Sequence, residues 1–191
     1  MDKIERLHIK VAKCSKCITI TDFRKFQMKA HGNFNSKNMI ISEAPAGKSL
    51  DNGKFWTGES GELLRDCILE AGLKLENDFY ITDVVKCWPH INKKNRPPNS
   101  IEINNCKKFI EAEIDLLKPK NIFLFGKYSV ELYIKNKFLM KDINGQVINL
   151  EDGTNLYPFY HPSYVLKQNN LEIEISYMEI LTNNLKKVFE T

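Results

Sequence analysis

The sequence predicts an α/β fold: a central parallel sheet of four strands covered by helices on both faces, a three-layer sandwich. Two observations predict it. Short apolar runs alternate with longer amphipathic segments along the chain, and no repeat, linker or low-complexity block interrupts that alternation, so residues 1–191 read as one domain.

Ile4, Leu7 and Val11 recur at helical spacing after Asp2, which suits an N-cap. Asn38–Ile41 reads as the first buried strand and runs into the loop Ser42-Glu43-Ala44-Pro45-Ala46-Gly47. A helix opens near Glu59, just past Gly58, with Leu63, Leu64, Cys67, Ile68 and Ala71 along one face. The second strand is Phe79–Val85, followed by a polar, proline-bearing loop from His90 to Ser100. Ser100 then caps a long helix whose apolar side carries Ile103, Cys106, Phe109, Ile110, Ile114 and Leu117. The third strand, Asn121–Phe125, ends at Gly126, and a helix follows from about Ser129. A hairpin-like stretch around Asn144-Gly145 and Asp152-Gly153 leads to the fourth strand, Leu156–Tyr160, then to His161-Pro162-Ser163 and a last helix, Ile180–Phe189. Open α/β sheets bind ligands beyond the carboxyl ends of their strands. That rule gathers Ser42–Gly47, Asp83–Cys87 and His161–Tyr164 around one crevice.

Composition narrows the class. With 42% hydrophobic and 27% charged residues over 191 positions, the chain is neither disordered nor collagen-like. Its net charge of +4 permits an anionic partner without requiring one. No apolar run approaches the roughly 18 residues of a membrane span, and the charged start, Met1-Asp2-Lys3-Ile4-Glu5-Arg6, lacks the apolar stretch of a signal peptide. The expectation is a soluble, cytoplasmic protein with no membrane partner.

Five cysteines, an odd count without an export signal, argue against a disulfide framework. Cys67 falls on an apolar helix face and reads as a core thiol. Cys14 and Cys17 form a C-x-x-C pair between lysines, with Cys87 and Cys106 far downstream. Four thiolates can close a tetrahedral zinc site or hold an iron–sulfur cluster, and a C-x-x-C alone also suits redox chemistry.

Six segments in order carry a resemblance: Cys14-x-x-Cys17, Glu43-Ala44-Pro45, Thr57-Gly58-Glu59-Ser60-Gly61-Glu62-Leu63-Leu64, Tyr80-Ile81-Thr82-Asp83-Val84-Val85-Lys86-Cys87, Cys106, and His161-Pro162-Ser163-Tyr164. Together they resemble the family 4 uracil-DNA glycosylases, over nearly the whole chain. The resemblance implies a monomer acting on DNA, with Cys14, Cys17, Cys87 and Cys106 as ligands of a structural [4Fe–4S] cluster. A glycosylase flips a nucleotide out of the stack and breaks the base–sugar bond, leaving negative charge on the departing base. Groups placed in advance to stabilise that charge lower the barrier. The resemblance makes His161 the donor to the pyrimidine O2, Glu43 a residue that shapes the pocket or orients water, and Ala44, Pro45 and Ala46 the loop that holds the base. Trp56 falls where the family stacks a phenylalanine on the base. Ser163, Tyr164, Leu166 and Lys167 would enter the minor groove, Tyr164, Val165, Leu166 and Lys167 offering an apolar wedge with a cation beside it. Lys93, Lys94 and Arg96, with Lys107 and Lys108, would meet phosphates.

Three departures from the family pattern matter. The first loop lacks the family's glycine at either end, having Ser42 and Ala46; Trp56 replaces phenylalanine; and Asp83 stands where the family reads the base edge with asparagine. An asparagine amide both accepts from uracil N3–H and donates to O4, whereas an ionised aspartate only accepts. Cytosine offers an N4 amino donor to such an acceptor, and a protonated Asp83 would donate to cytosine N3. Asp83, the third expected catalytic residue, therefore points to a modified cytosine, such as the hydroxymethylated or glycosylated forms of phage DNA, and to a role in antiviral defence. The alternatives are uracil removal in repair and a DNA-binding module without activity.

Overall fold

The computed structural model describes residues 2–17, 20 and 29–190. The chain begins with helix α1 (Lys3–Ala12), strands β1 (His31–Gly32) and β2 (Asn38–Ser42), and helices α2 (Gly47–Asn52), α3 (Glu59–Glu70) and α4 (Leu75–Asp78). Strands β3 (Tyr80–Asp83), β4 (His90–Ile91) and β5 (Lys94–Asn95) precede the long helix α5 (Ser100–Leu117) and strand β6 (Asn121–Phe125). Helices α6 (Lys127–Val130) and α7 (Met140–Ile143), strands β7 (Ile148–Asn149) and β8 (Asn155–Phe159), and helices α8 (Pro162–Lys167) and α9 (Leu171–Phe189) complete it.

The main sheet runs β1-β3-β2-β6-β8-β7. Its four inner strands are parallel, as expected, while the two-residue edges β1 and β7 pair antiparallel. Short edge strands limit the unpaired backbone that would template aggregation. Because successive strand side chains face opposite ways, the apolar runs supply two cores. Met39, Ile41, Tyr80, Ile122, Leu124 and Leu156 pack on one face with α1 and α5. Ile40, Ile81, Phe123, Phe125, Tyr157 and Phe159 pack on the other with α3, α8 and α9. The second face is largely aromatic, with Phe123 and Tyr157 stacked at 4.7 Å.

The strand order reverses at β2: the chain steps to β3 on one side, then returns to β6 on the other. A crevice opens at such a switch point, and the register aligns its rim. Ser42 pairs with Asp83 as the last residue of each strand, and the pairing continues as Val84 N–H donates to the Ser42 carbonyl.

Three local readings change. The His90–Ser100 segment contains a β4–β5 hairpin, its two-residue turn Asn92-Lys93 having positive φ at both positions, the backbone of a type I′ turn. Helix α5 is capped by Asn99, whose side chain accepts from Glu102 N–H while the Glu102 carboxylate returns to the Asn99 N–H, so Ser100 is its first residue. Helix α9 starts at Leu171, well before Ile180, because Asn170 caps it through the Glu172 and Ile173 amides.

Candidate active site

A cleft of about 640 Å³ opens beyond the strand ends, lined among others by Ser42, Ala44, Pro45, Ala46, Trp56, Asp83 and His161. Its floor is the Ser42–Asp83 pair, both buried. Burial pushes the Asp83 carboxyl up to about 7 against the lowering effect of Lys86 and of a hydrogen bond from Ser42, with Glu113 and Glu43 adding to the rise. Its Oδ2 has no hydrogen-bond partner among the described residues. Lys86 does not reach that carboxyl: its Nζ donates to the Asp83 backbone carbonyl at 2.7 Å and pairs with the buried Glu113 at 2.8 Å.

His161 is the N-cap of α8, with Pro162 in the first turn. Ser163 N–H donates to its Nδ1 at 3.2 Å, and the Ser163 hydroxyl lies 2.8 Å from the same nitrogen. With Nδ1 accepting, the neutral ring carries its proton on Nε2 and is a donor. Close packing and the charge of Lys167 push the imidazole down to about 4, so it is neutral at pH 7. The Trp56 indole stacks on it, centroids 5.2 Å apart and planes 23° from parallel.

Trp56 stands in the left-handed region at φ 57°, and a Cβ at Gly61 would lie 2.1 Å from the Trp56 carbonyl oxygen, so a side chain there would displace the turn. Arg65 holds this turn as well, donating to the Trp56 and Phe55 carbonyls while pairing with both Glu76 oxygens.

Glu43 is not among the cleft-lining residues. Its carboxylate turns toward the start of α6, where Oε1 accepts from Tyr128 N–H at 3.2 Å, and burial raises its pKa. The opposite wall of the cleft holds Trp88, which sequence reasoning missed. Trp88 stacks on His90 at 4.5 Å and donates to Asn95 Oδ1 at 2.7 Å, an oxygen that also accepts from Gly47 N–H. The hairpin thereby clasps the Ala44–Gly47 loop. The turn signal at Asn92-Lys93 was available in the sequence, but no apolar alternation flanks it.

The model of the Uracil DNA glycosylase superfamily matches residues 30–185. The chain belongs to that superfamily and is a DNA glycosylase. It is 31% identical to the type-4 uracil-DNA glycosylase of Sulfurisphaera tokodaii, over 100% of this chain and 85% of that protein. Identity to the type-4 uracil-DNA glycosylase of Saccharolobus solfataricus is 32%, over 87% of this chain and 78% of the relative. A DNA polymerase of Bacillus phage SP01 is 30% identical over 88% of this chain, but the match spans only 18% of that longer protein.

In this glycosylase the four cysteines of the expected set lie in or against one core. Cys17, Cys87 and Cys106 are buried in that core, and the half-buried Cys14 packs against it. Asn105 Nδ2 donates to Cys17 Sγ at 3.6 Å and Lys86 N–H to Cys106 Sγ at 3.5 Å. A hydrogen bond from Cys87 holds the Cys106 thiol below its ordinary range. Among the described residues, no three His, Cys, Asp or Glu side chains are grouped to hold a single ion. Cys67 lies apart, buried in the other core, its thiol pushed up to about 12 by burial.

The residues expected to meet DNA divide. Lys93, Ser163, Leu166 and Lys167 line the cleft. Tyr164 is half exposed beside it, stacked on Tyr160 at 4.9 Å. Lys94 is exposed on the hairpin. Arg96 is instead engaged with the buried Glu102, two guanidinium nitrogens on two carboxylate oxygens, and this pairing fastens the loop to the cap of α5.

Proposed function

We propose that this DNA glycosylase prefers a modified cytosine in foreign DNA, and that Asp83 sets the preference. The observation that carries the reading is the Asp83 carboxyl at the floor of the cleft, buried and with no hydrogen-bond partner for its Oδ2 among the described residues. An ionised carboxylate there accepts from an N4 amino group and faces a uracil O4 with no donor. A buried polar mismatch of that kind costs ~10⁴-fold or more in discrimination. The cleft volume of about 640 Å³ is in the range that holds drug-sized ligands, which suits a pyrimidine carrying a further substituent.

Bond cleavage leaves the base with developing negative charge. His161 Nε2–H would donate to O2 at that moment, as a neutral donor that loses no proton in the step. Trp56, already stacked on His161, would cover the base, and the Ala44–Ala46 loop would border it. Glu43, held by Tyr128, would act by fixing that loop. Tyr164, Leu166 and Lys167 would occupy the gap left in the duplex, while Lys93 and Lys94 meet phosphates.

Cys14, Cys17, Cys87 and Cys106 would hold a [4Fe–4S] cluster. The donor set fits: three buried sulfurs and one half-buried sulfur in or against one core, with N–H donors already directed at two of them. A cluster several ångströms across also spreads its ligands more widely than a single ion does. Its contribution is to tie α1, α5 and the segment after β3 together, outside the base-removal step. The reading also takes residues 1–191 as one domain acting as a monomer.

The second reading, removal of uracil in repair, is favoured by the names of the type-4 relatives. Mass spectrometry of free bases released from uracil-containing and hydroxymethylated or glucosylated cytosine DNA separates the two. Release of the modified cytosine in preference to uracil supports the proposal, and preferential release of uracil overturns it.

A further inference from the structure

Asp83 does not stand alone at the floor of the cleft. Ser42 is its register partner across β2 and β3, is 4% exposed against 1% for Asp83, lines the same cleft, and its hydroxyl favours the charged form of the Asp83 carboxyl. Neighbouring strand residues in register project to the same side of a sheet, so the two side chains reach the cleft together. The nearest cation, Lys86, spends its donors on the Asp83 backbone carbonyl, Thr82 and Glu113. Ser42 is thus the polar neighbour that shares the carboxyl's face of the sheet.

We propose that Ser42 is a specificity-determining residue that acts through Asp83, making the pair an acceptor edge for the 4-amino group of the flipped base. A hydroxyl has one proton to give. Spent on Asp83, it would not be available to a carbonyl at the 4-position of the base, and the carboxyl would keep an acceptor for the amino group. The bond also favours the charged carboxylate over the neutral acid. That matters because a neutral acid both donates and accepts, and so would serve a uracil edge nearly as well as a cytosine edge. Without Ser42 the carboxyl is free to turn and to keep its proton, and discrimination falls. With Asp83 absent, Ser42 has no carboxyl to act through.

This inference rests on the modified-cytosine reading, and its test separates the two. Single-turnover release of base would be measured on otherwise identical duplexes containing uracil, 5-hydroxymethylcytosine or glucosylated 5-hydroxymethylcytosine. The proteins are wild type, Ser42→Ala, Ser42→Thr, Asp83→Asn and the Ser42→Ala/Asp83→Asn double variant, each checked for native melting. The expected result is a preference for the 4-amino bases in wild type that falls at least tenfold in Ser42→Ala, is kept in Ser42→Thr, and is unaffected by Ser42→Ala once Asp83 is asparagine. A wild-type preference for the 4-amino bases with no change in Ser42→Ala, or with equal effects of Ser42→Ala in both backgrounds, overturns the role of Ser42 and leaves the target reading standing. Uracil released in preference by wild type, or no base released at all, overturns both.

Discussion

His161 has its chemistry assigned by its immediate neighbours. The Ser163 amide on Nδ1 selects the tautomer, close packing removes the charge, and the cap position places the ring at the cleft. Loss of one preorganised donor costs roughly 10²–10³-fold in rate, so His161→Ala is expected to lower single-turnover release by that factor while DNA affinity by gel shift stays unchanged. Because the imidazole is pushed down to about 4, the pH–rate profile should show no His161 limb near 6.5. Asp83 has the opposite sign. Raised to about 7 from an unfolded value near 4, it binds more protons folded than unfolded in that interval, so its contribution to stability falls as pH rises from about 4 to 7. Burial and the carboxylates Glu113 and Glu43 oppose its ionisation, while Lys86 and Ser42 favour it. Asp83→Asn should therefore melt progressively above wild type as pH increases, at about 1.36 kcal/mol per unit. Over the same interval the preference of wild type for a 4-amino base should grow. The likeness of His161 and Asp83 to a motif was legible in sequence, since a strand end followed by Pro-Ser or by Val-Val-Lys-Cys is a local pattern. Their protonation was not, because it depends on groups from α5, β2 and α8.

At the scale of elements, two contacts brace the loops that border the cleft. Gly126 follows β6 at φ 95°, and a Cβ there would lie 2.5 Å from the Glu43 carboxyl. Gly126→Ala combines that collision with an unfavourable backbone and should destabilise by more than about 1 kcal/mol in denaturant unfolding, with a lower rate as the Glu43 loop shifts. The β4–β5 hairpin meets the facing loop through Asn95 Oδ1, shared between Trp88 and Gly47. Asn95→Ala should raise KM more than it lowers kcat, because it loosens a wall without touching the reacting atoms; steady-state kinetics on the preferred duplex would check this. The strands, α3 and the start of α1 were readable because their apolar periodicity is strong. The hairpin was not, since His90, Ile91, Lys94 and Asn95 give it no alternating face. Nor was the engagement of Arg96, which depends on the cap of α5 that the loop precedes.

Across the whole molecule, the parallel sheet does the positioning. The reversal of strand order at β2 puts the ends of β2, β3 and β8 around one cleft, and the same turn after β3 that presents Asp83 carries Cys87 into the opposite core. In the proposed function, reading and anchoring would therefore share one short segment, Asp83–Cys87. Iron-replete protein should absorb broadly in the visible through sulfur-to-iron charge transfer, and Cys17→Ala should lose that absorbance together with thermal stability; a colourless native protein would favour zinc. Alternation of strands and helices made this architecture legible from sequence, but the opposition of Ser42 and Asp83 emerges only from register, which pairs residues 41 positions apart.

The account depends most on Asp83 as the reader of the base. Mass spectrometry of the free bases released by wild type and by Asp83→Asn, from glucosylated-cytosine DNA and uracil DNA in parallel, tests this directly. The account predicts that wild type releases the modified cytosine in preference to uracil and that Asp83→Asn shifts release toward uracil. The same preferred base from both proteins would contradict it.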